Sequence, residues 1–256
     1  MGHERVGVLP KTKRWRRIVG EIEAALNDDL SIAELADSVL GQVNDRFRKI
    51  HEDTGVQSTF TFLVAVPLAL SNVPSPYTQE ELGITSESSV FELVRALSRW
   101  VRGAEQSLEY AGLAQRAASD ALSEWVRKHG QTTLFGSPSS GEVWAEAATA
   151  RGFCELARSF FASFTERYLN YFLDRAASAA ANSLHARNVL AESIEAHVAE
   201  VSRHALETSR ITQSFAAGWF NKHVLEGDSW GGDVGRFLSI AFGKLREEIL
   251  REAGGG

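Results

Sequence analysis

Arg46 and His51, five positions apart in the stretch DRFRKIH, are the residues here whose types could most readily do chemistry together. A histidine titrates near neutrality, and an arginine keeps its charge beside it. Such a pair can work as a catalytic couple only if the intervening chain lets both side chains reach one point. On an unbroken α-helix each residue turns by about 100°, so the two side chains diverge by about 140°. Ile32, Leu35, Ala36, Val39, Val43, Phe47 and Ile50 form an apolar stripe on that helix, with Arg46 on one margin and His51 on the other. Long amphipathic side chains normally lie at such margins, and the structural reading accounts for both residues.

A second constellation, His197, Glu200, His204 and Glu207, is spaced by three, four and three residues. Imidazoles and carboxylates on one helix face are the ligand types of zinc or iron. Di-iron carboxylate bundles use Glu-x-x-His from paired helices, however, and this order is His-x-x-Glu with no matching second helix. The stripe borders Ile194, Val198, Val201 and Ala205, so it reads as the polar margin of a seam, with Glu200 and His204 supporting each other one turn apart. No metal and no cofactor is expected.

The third feature is a basic turn made by Lys11, Lys13, Arg14, Arg16 and Arg17. It opens a first amphipathic helix over residues 12–27, where the macrodipole disfavours cations. The turn is therefore not there to stabilise its helix. It is either a solvated helix end or an anchor for an acidic partner or a nucleic-acid backbone. A net charge of -6 at pH 7 argues against the whole surface being a nucleic-acid footprint, which needs a basic face.

The R-x4-H spacing of Arg46 and His51 resembles the element of HEPN-type ribonucleases. That resemblance implies an α-helical protein that cleaves RNA at a composite dimer site, with Arg46 and His51 in the catalytic role. It spans six residues, and Phe47 stands where that family usually carries a polar residue. No G-x-G-x-x-G, Walker A, G-x-S-x-G, H-E-x-x-H or C-x-x-C sequence occurs, so dinucleotide, phosphate-loop, hydrolase and zinc chemistries have no motif to rest on.

The elements that would position these residues are helices. Ser31 and Glu34 have capping-box spacing and start a second helix over Ile32 to Asp53, with Gly55 as its stop. Val56 to Ser71 is ambiguous between a buried helix, the favoured reading, and a strand that the stretch RVGVLP could pair as a minor two-stranded element. Pro67 breaks either one. The run falls short of the roughly 20 apolar residues that cross a bilayer, so membrane association is not expected. Residues 72–87, rich in Pro and Ser, form a linker and a possible subdivision of what reads as one domain.

Beyond the linker, Phe91, Val94, Leu97, Val101, Leu108, Ala111, Ala114, Ala118, Leu122 and Trp125 repeat at helical spacing, as one long helix or as a pair interrupted near Gly103. A loop over residues 130–142 precedes a long helix to about Ala181, whose row Phe153, Leu156, Phe160, Phe164, Tyr168 and Tyr171 reads as core, with a ligand pocket as the alternative. Two more helices follow, over residues 185–220 and in the last stretch. The second has a face of Val234, Phe237, Leu238, Ala241, Leu245 and Ile249 that something must cover.

The expected fold is all-α, about seven helices in a bundle-like array. A single cysteine, Cys154, excludes an internal disulfide. It reads as a structural thiol in a reducing cytoplasm, and the first residues lack the apolar segment of a secretory signal. Arginine outnumbers lysine and alanine is abundant, the bias of a GC-rich bacterial genome. The functional expectation is a non-enzymatic helical subunit that associates with a partner protein or with itself. An RNA-cleaving toxin and a membrane-acting effector are its alternatives.

Overall fold

The computed structural model describes residues 49–71, 73–103, 110–131, 139–180, 210–226 and 231–254, with isolated positions at 24, 188 and 192. The described residues are all-α and contain no strand. The eight helices are α1 (Thr54–Leu70), α2 (Gln79–Leu82), α3 (Val90–Gly103), α4 (Ala111–His129), α5 (Ser140–Ala147), α6 (Ala150–Ala180), α7 (Arg210–Trp219) and α8 (Val234–Gly254). A 3-10 turn over Ile50–Glu52 precedes α1, and a π-helical segment over Phe220–Leu225 continues α7.

The ambiguous apolar run is helix α1. The alternation of Phe60, Phe62, Val64 and Val66 has no polar counterpart, because Thr61, Leu63 and Ala65 between them are buried as well. A segment apolar on every side belongs at the centre of a helical core, and α1 packs on α2, α3, α4, α5 and α8. The buried Thr59 hydroxyl donates to the Gly55 carbonyl at 2.7 Å. Pro67 does not break the helix as expected. It sits in the last turn, where only one intrahelical donor is lost, and the chain leaves the helix at Ser71, whose N–H donates to the Pro67 carbonyl at 3.0 Å.

Asp53 explains where α1 begins. Its backbone is extended (φ -70°, ψ 114°), which ends the preceding turn, and its carboxylate accepts from Gly55 N at 2.8 Å and Val56 N at 3.2 Å. The second oxygen accepts from Tyr110 N at 2.9 Å. One buried carboxylate thus caps α1 and ties it to the start of α4. Gly55 is therefore not the stop of the preceding helix. It lies in the first turn of α1, where a Cβ would meet the Cβ of Ala111 and come within 3.2 Å of its Cα. The helix expected to run through Asp53 is a 3-10 turn over Ile50–Glu52; its earlier part lies outside the described residues, as does RVGVLP.

The 72–87 region is more than a linker. Thr78 and Glu81 form a capping box at the start of α2, Leu82 and Ile84 are buried, and Gln79 Nε2 donates to the Ala69 carbonyl at 2.8 Å. The long helix expected from Glu142 is two helices, α5 and α6. Thr149 sits at the break, accepting from Gly152 N at 3.1 Å and donating to the Glu146 carbonyl at 2.8 Å. Gly152 allows the chain to fold back there, since a Cβ would come within 2.7 Å of Ala147 Cα.

The aromatic row of α6 is core. Phe153, Phe160, Phe161, Phe164 and Tyr168 are buried. Phe60 of α1 packs its ring on Phe153, Phe160 and Phe161 of α6 and stacks on Phe237 of α8 at 5.3 Å. On α8, Val234, Phe237, Leu238, Ala241 and Leu245 are buried, and Phe215 and Trp219 of α7 also lie on Phe237. Aromatic pairs at these separations add about 0.5–1.5 kcal/mol each to the area they bury.

Candidate functional site

Helix α3 separates its two faces sharply. Ser89 and Glu92 cap its start reciprocally: Ser89 N donates to Glu92 Oε2 at 2.8 Å and Glu92 N to Ser89 Oγ at 3.4 Å. The Ser89 N–H first and its hydroxyl second, which donates to the same oxygen at 2.8 Å, hold the Glu92 carboxyl below the ordinary glutamate range, with a smaller attraction from Arg95. Leu93, Ala96, Leu97 and Val101 are buried against α1 and α4. The half-buried Trp100 fixes the helix by donating from Nε1 to the Ser58 carbonyl at 3.0 Å.

Turning by about 100° per residue from that anchored face, the outer face presents Phe91, Arg95, Arg99 and Arg102, all exposed. Phe91 is 69% exposed. The Arg95 guanidinium carbon lies 5.8 Å from the centroid of the Phe91 ring, a cation–π distance. Arg99 Nη2 donates to the Gly83 carbonyl at 3.2 Å. Among the described residues, none of these three arginines has a carboxylate within ion-pairing distance.

The sequence places Phe91 with Val94, Leu97 and Val101 in an inward stripe, and the structure corrects this. The stripe's centre is set by Leu93, Ala96, Leu97 and Val101, and Phe91 falls about 120° from Leu97, off its edge.

The other polar surface is built differently. Helices α4 and α6 make the most extensive contact in the described structure, and between them runs a groove of about 440 Å³ lined by Asp120, Glu124, Lys128, Glu155, Ser159 and Ser163, among others. Here the charges consume one another. Arg167 donates to Asp120 Oδ2 from Nη2 at 2.6 Å and from Nε at 3.0 Å, and Ser163 donates to the same oxygen at 2.6 Å. Ser159 donates to Glu124, and Lys128 pairs with Glu155. Burial alone would raise the Glu155 carboxyl; Lys128 and His129 more than offset it and hold it below the usual range. His129 stacks on Trp125 with centroids 3.9 Å apart, and its Nδ1 lies 3.0 Å from Glu146 Oε2. This ladder fastens α4 to α5 and α6.

A third polar contact joins the π-helical segment to the start of α8, where His223 Nδ1 lies 3.0 Å from Asp233 Oδ2. Among the described residues no group of three or more His, Cys, Asp or Glu side chains could hold a metal ion, and no helix is long and apolar enough to cross a membrane. Cys154 is half-buried in α6, and burial pushes its thiol up, away from nucleophilic use.

The sequence-derived candidates fall mostly elsewhere. Lys11, Lys13, Arg14, Arg16, Arg17, Arg46, His197, Glu200, His204 and Glu207 lie outside the described residues. His51 is in the 3-10 turn, its carbonyl accepting from Gln57 Nε2 at 2.6 Å. The angle derived for an unbroken α-helix therefore does not apply at His51, because 3-10 geometry turns each residue by about 120°. The outer face of α3 went unrecognised in the sequence, although Arg95, Arg99 and Arg102 recur there at helical spacing. Compared with protein-family models, with curated proteins and with solved structures, the chain matches none of them.

Proposed function

We propose that this protein works by association, as a helical subunit that receives a partner protein on the outer face of α3. The observation that carries the reading is the exposed Phe91 ring with Arg95 against it and Arg99 and Arg102 farther along the same face, none of the three within ion-pairing distance of a carboxylate among the described residues. An exposed aromatic beside arginine is the composition enriched at the energetic centres of protein interfaces. The α4–α6 ladder supplies the contrast: there Lys128 and Arg167 are each matched to an acid. The bundle-like arrangement expected for the whole chain belongs to this reading as the rigid frame behind α3.

The test is photo-crosslinking in cells with a photoreactive phenylalanine analogue in place of Phe91, against the same analogue in place of the exposed Ser123 on α4, combined with light scattering of the purified chain. An adduct of defined mass at position 91, absent at position 123 and lost when Arg95→Glu and Arg102→Glu are added, is the expected result. A strict monomer that forms no adduct from position 91 refutes the reading.

A further inference from the structure

We infer that the occupant of the α3 face is an acidic, helix-forming segment of the partner protein, whose carboxylates engage Arg95, Arg99 and Arg102 while one of its apolar side chains covers Phe91. The inference rests on the association reading above and names the chemistry of its partner.

Geometry sets the first condition. Residues 95, 99 and 102 follow one another by four and three positions, so they climb the face of α3 by about 10 Å in two turns. A second helix laid alongside repeats its own side chains at the same rise, so carboxylates spaced three and four apart on it would meet the arginines in step. Guanidinium groups take carboxylates through two parallel hydrogen bonds, which gives the contact direction as well as charge. Phe91 lies one turn before Arg95, so the face is polar along its length: an aromatic ring at the start of α3, cations toward its end. A bound segment therefore has one favoured direction, with its apolar residue over Phe91 and its acids toward Arg102.

Charge decides against the other ligand that a row of arginines with an aromatic could take. A single-stranded nucleic acid would stack a base on Phe91 and run its phosphates past the same residues. Exposed Glu87 and Glu92 flank Phe91 in the chain, and Glu92 is fixed beside it by Ser89. A phosphate carried by the stacked base would lie among these carboxylates, whereas the apolar side chain of a peptide brings no charge to that end.

The experiment uses the full chain and fluorescence anisotropy at low salt with two probes: a labelled helix-forming peptide with three glutamates at i, i+4 and i+7 and a leucine one turn ahead of them, and a labelled single-stranded thymidine oligonucleotide. The expected result is that the peptide binds more tightly than the oligonucleotide. Arg95→Glu with Arg102→Glu should weaken the peptide at least about tenfold, and Phe91→Ser about fivefold. The milder pair Arg95→Gln and Arg102→Gln should fall between wild type and the charge reversal, which separates lost attraction from a disturbed helix. Equal or tighter binding of the oligonucleotide, no binding of the peptide, or binding indifferent to all three variants overturns the inference. If the peptide fails while the crosslink from position 91 persists, the acidic occupant falls and the association reading stands; if both fail, both fall.

Discussion

Replacing Asp53 by alanine removes three hydrogen bonds that one buried side chain makes to two separate elements. Asp53 is 2% exposed. One oxygen caps α1 through Gly55 N and Val56 N, and the other accepts Tyr110 N at 2.9 Å, before α4. Losing a cap of this kind costs about 1 kcal/mol. The Tyr110 N–H is left facing an emptied buried site, and a bond to a charged acceptor is worth about 1.5–3 kcal/mol. The sum is about 2.5–4 kcal/mol, which for a chain of this size lowers the melting temperature by about 5–16 °C. Asp53→Asn divides the two functions, because its oxygen can cap α1 while its amide nitrogen cannot accept from Tyr110. It should cost about 1 kcal/mol less than alanine. Urea unfolding followed by circular dichroism measures both. An Asp53→Ala loss below about 1 kcal/mol would show that the link between α1 and α4 does not depend on this carboxylate, and an Asn variant no better than Ala would show that the cap on α1 contributes nothing.

Gly152→Ala should destabilise by about 1–3 kcal/mol in the same assay, because its Cβ would come within 2.7 Å of Ala147 Cα and closer still to the Glu146 carbonyl; an unchanged midpoint would mean that α5 and α6 separate freely. Phe60→Ala should cost about 3–5 kcal/mol, since its ring touches four others, and a loss near that of a surface substitution would refute its central placement. Glu81, Glu92 and Glu142 should titrate below the ordinary glutamate range by carboxyl NMR, each held down by the backbone N–H and then the hydroxyl of its capping residue. The sign follows: this contribution to stability is present above the unfolded-state pKa and is lost as pH falls through the lower folded-state values. Titration at ordinary values would show the boxes open in solution.

Helicity was legible because apolar residues recur at three and four through most of the chain, whereas that same recurrence left open whether residues 90–129 make one helix or the two that the structure shows, α3 and α4. The helical state of α1 was harder to read, since a segment buried on all sides has no periodicity left to betray it. Only the cap at Asp53 distinguishes it, and that cap could be recognised locally only if Gly55 were not taken as a stop. The break at Thr149 hid inside an alanine-rich run with no proline, its cause being a close approach between backbone segments. The α3 face was missed because Phe91 satisfies the spacing of a buried stripe. Its exposure depends on which side of α3 meets α1 and α4, a tertiary fact that no local pattern carries.

The burial of α1 also has a consequence for how the chain is made. Among the described residues its flanks are closed by helices that follow it along the sequence, the last of them α8 through Phe237, near the end of the described chain. During synthesis α1 leaves the ribosome long before α8 exists. For that interval the side of Phe60 that meets Phe237 has no protein to rest on, and a fragment ending after α4, which lacks α6 as well, would leave that ring uncovered on most sides and prone to clumping.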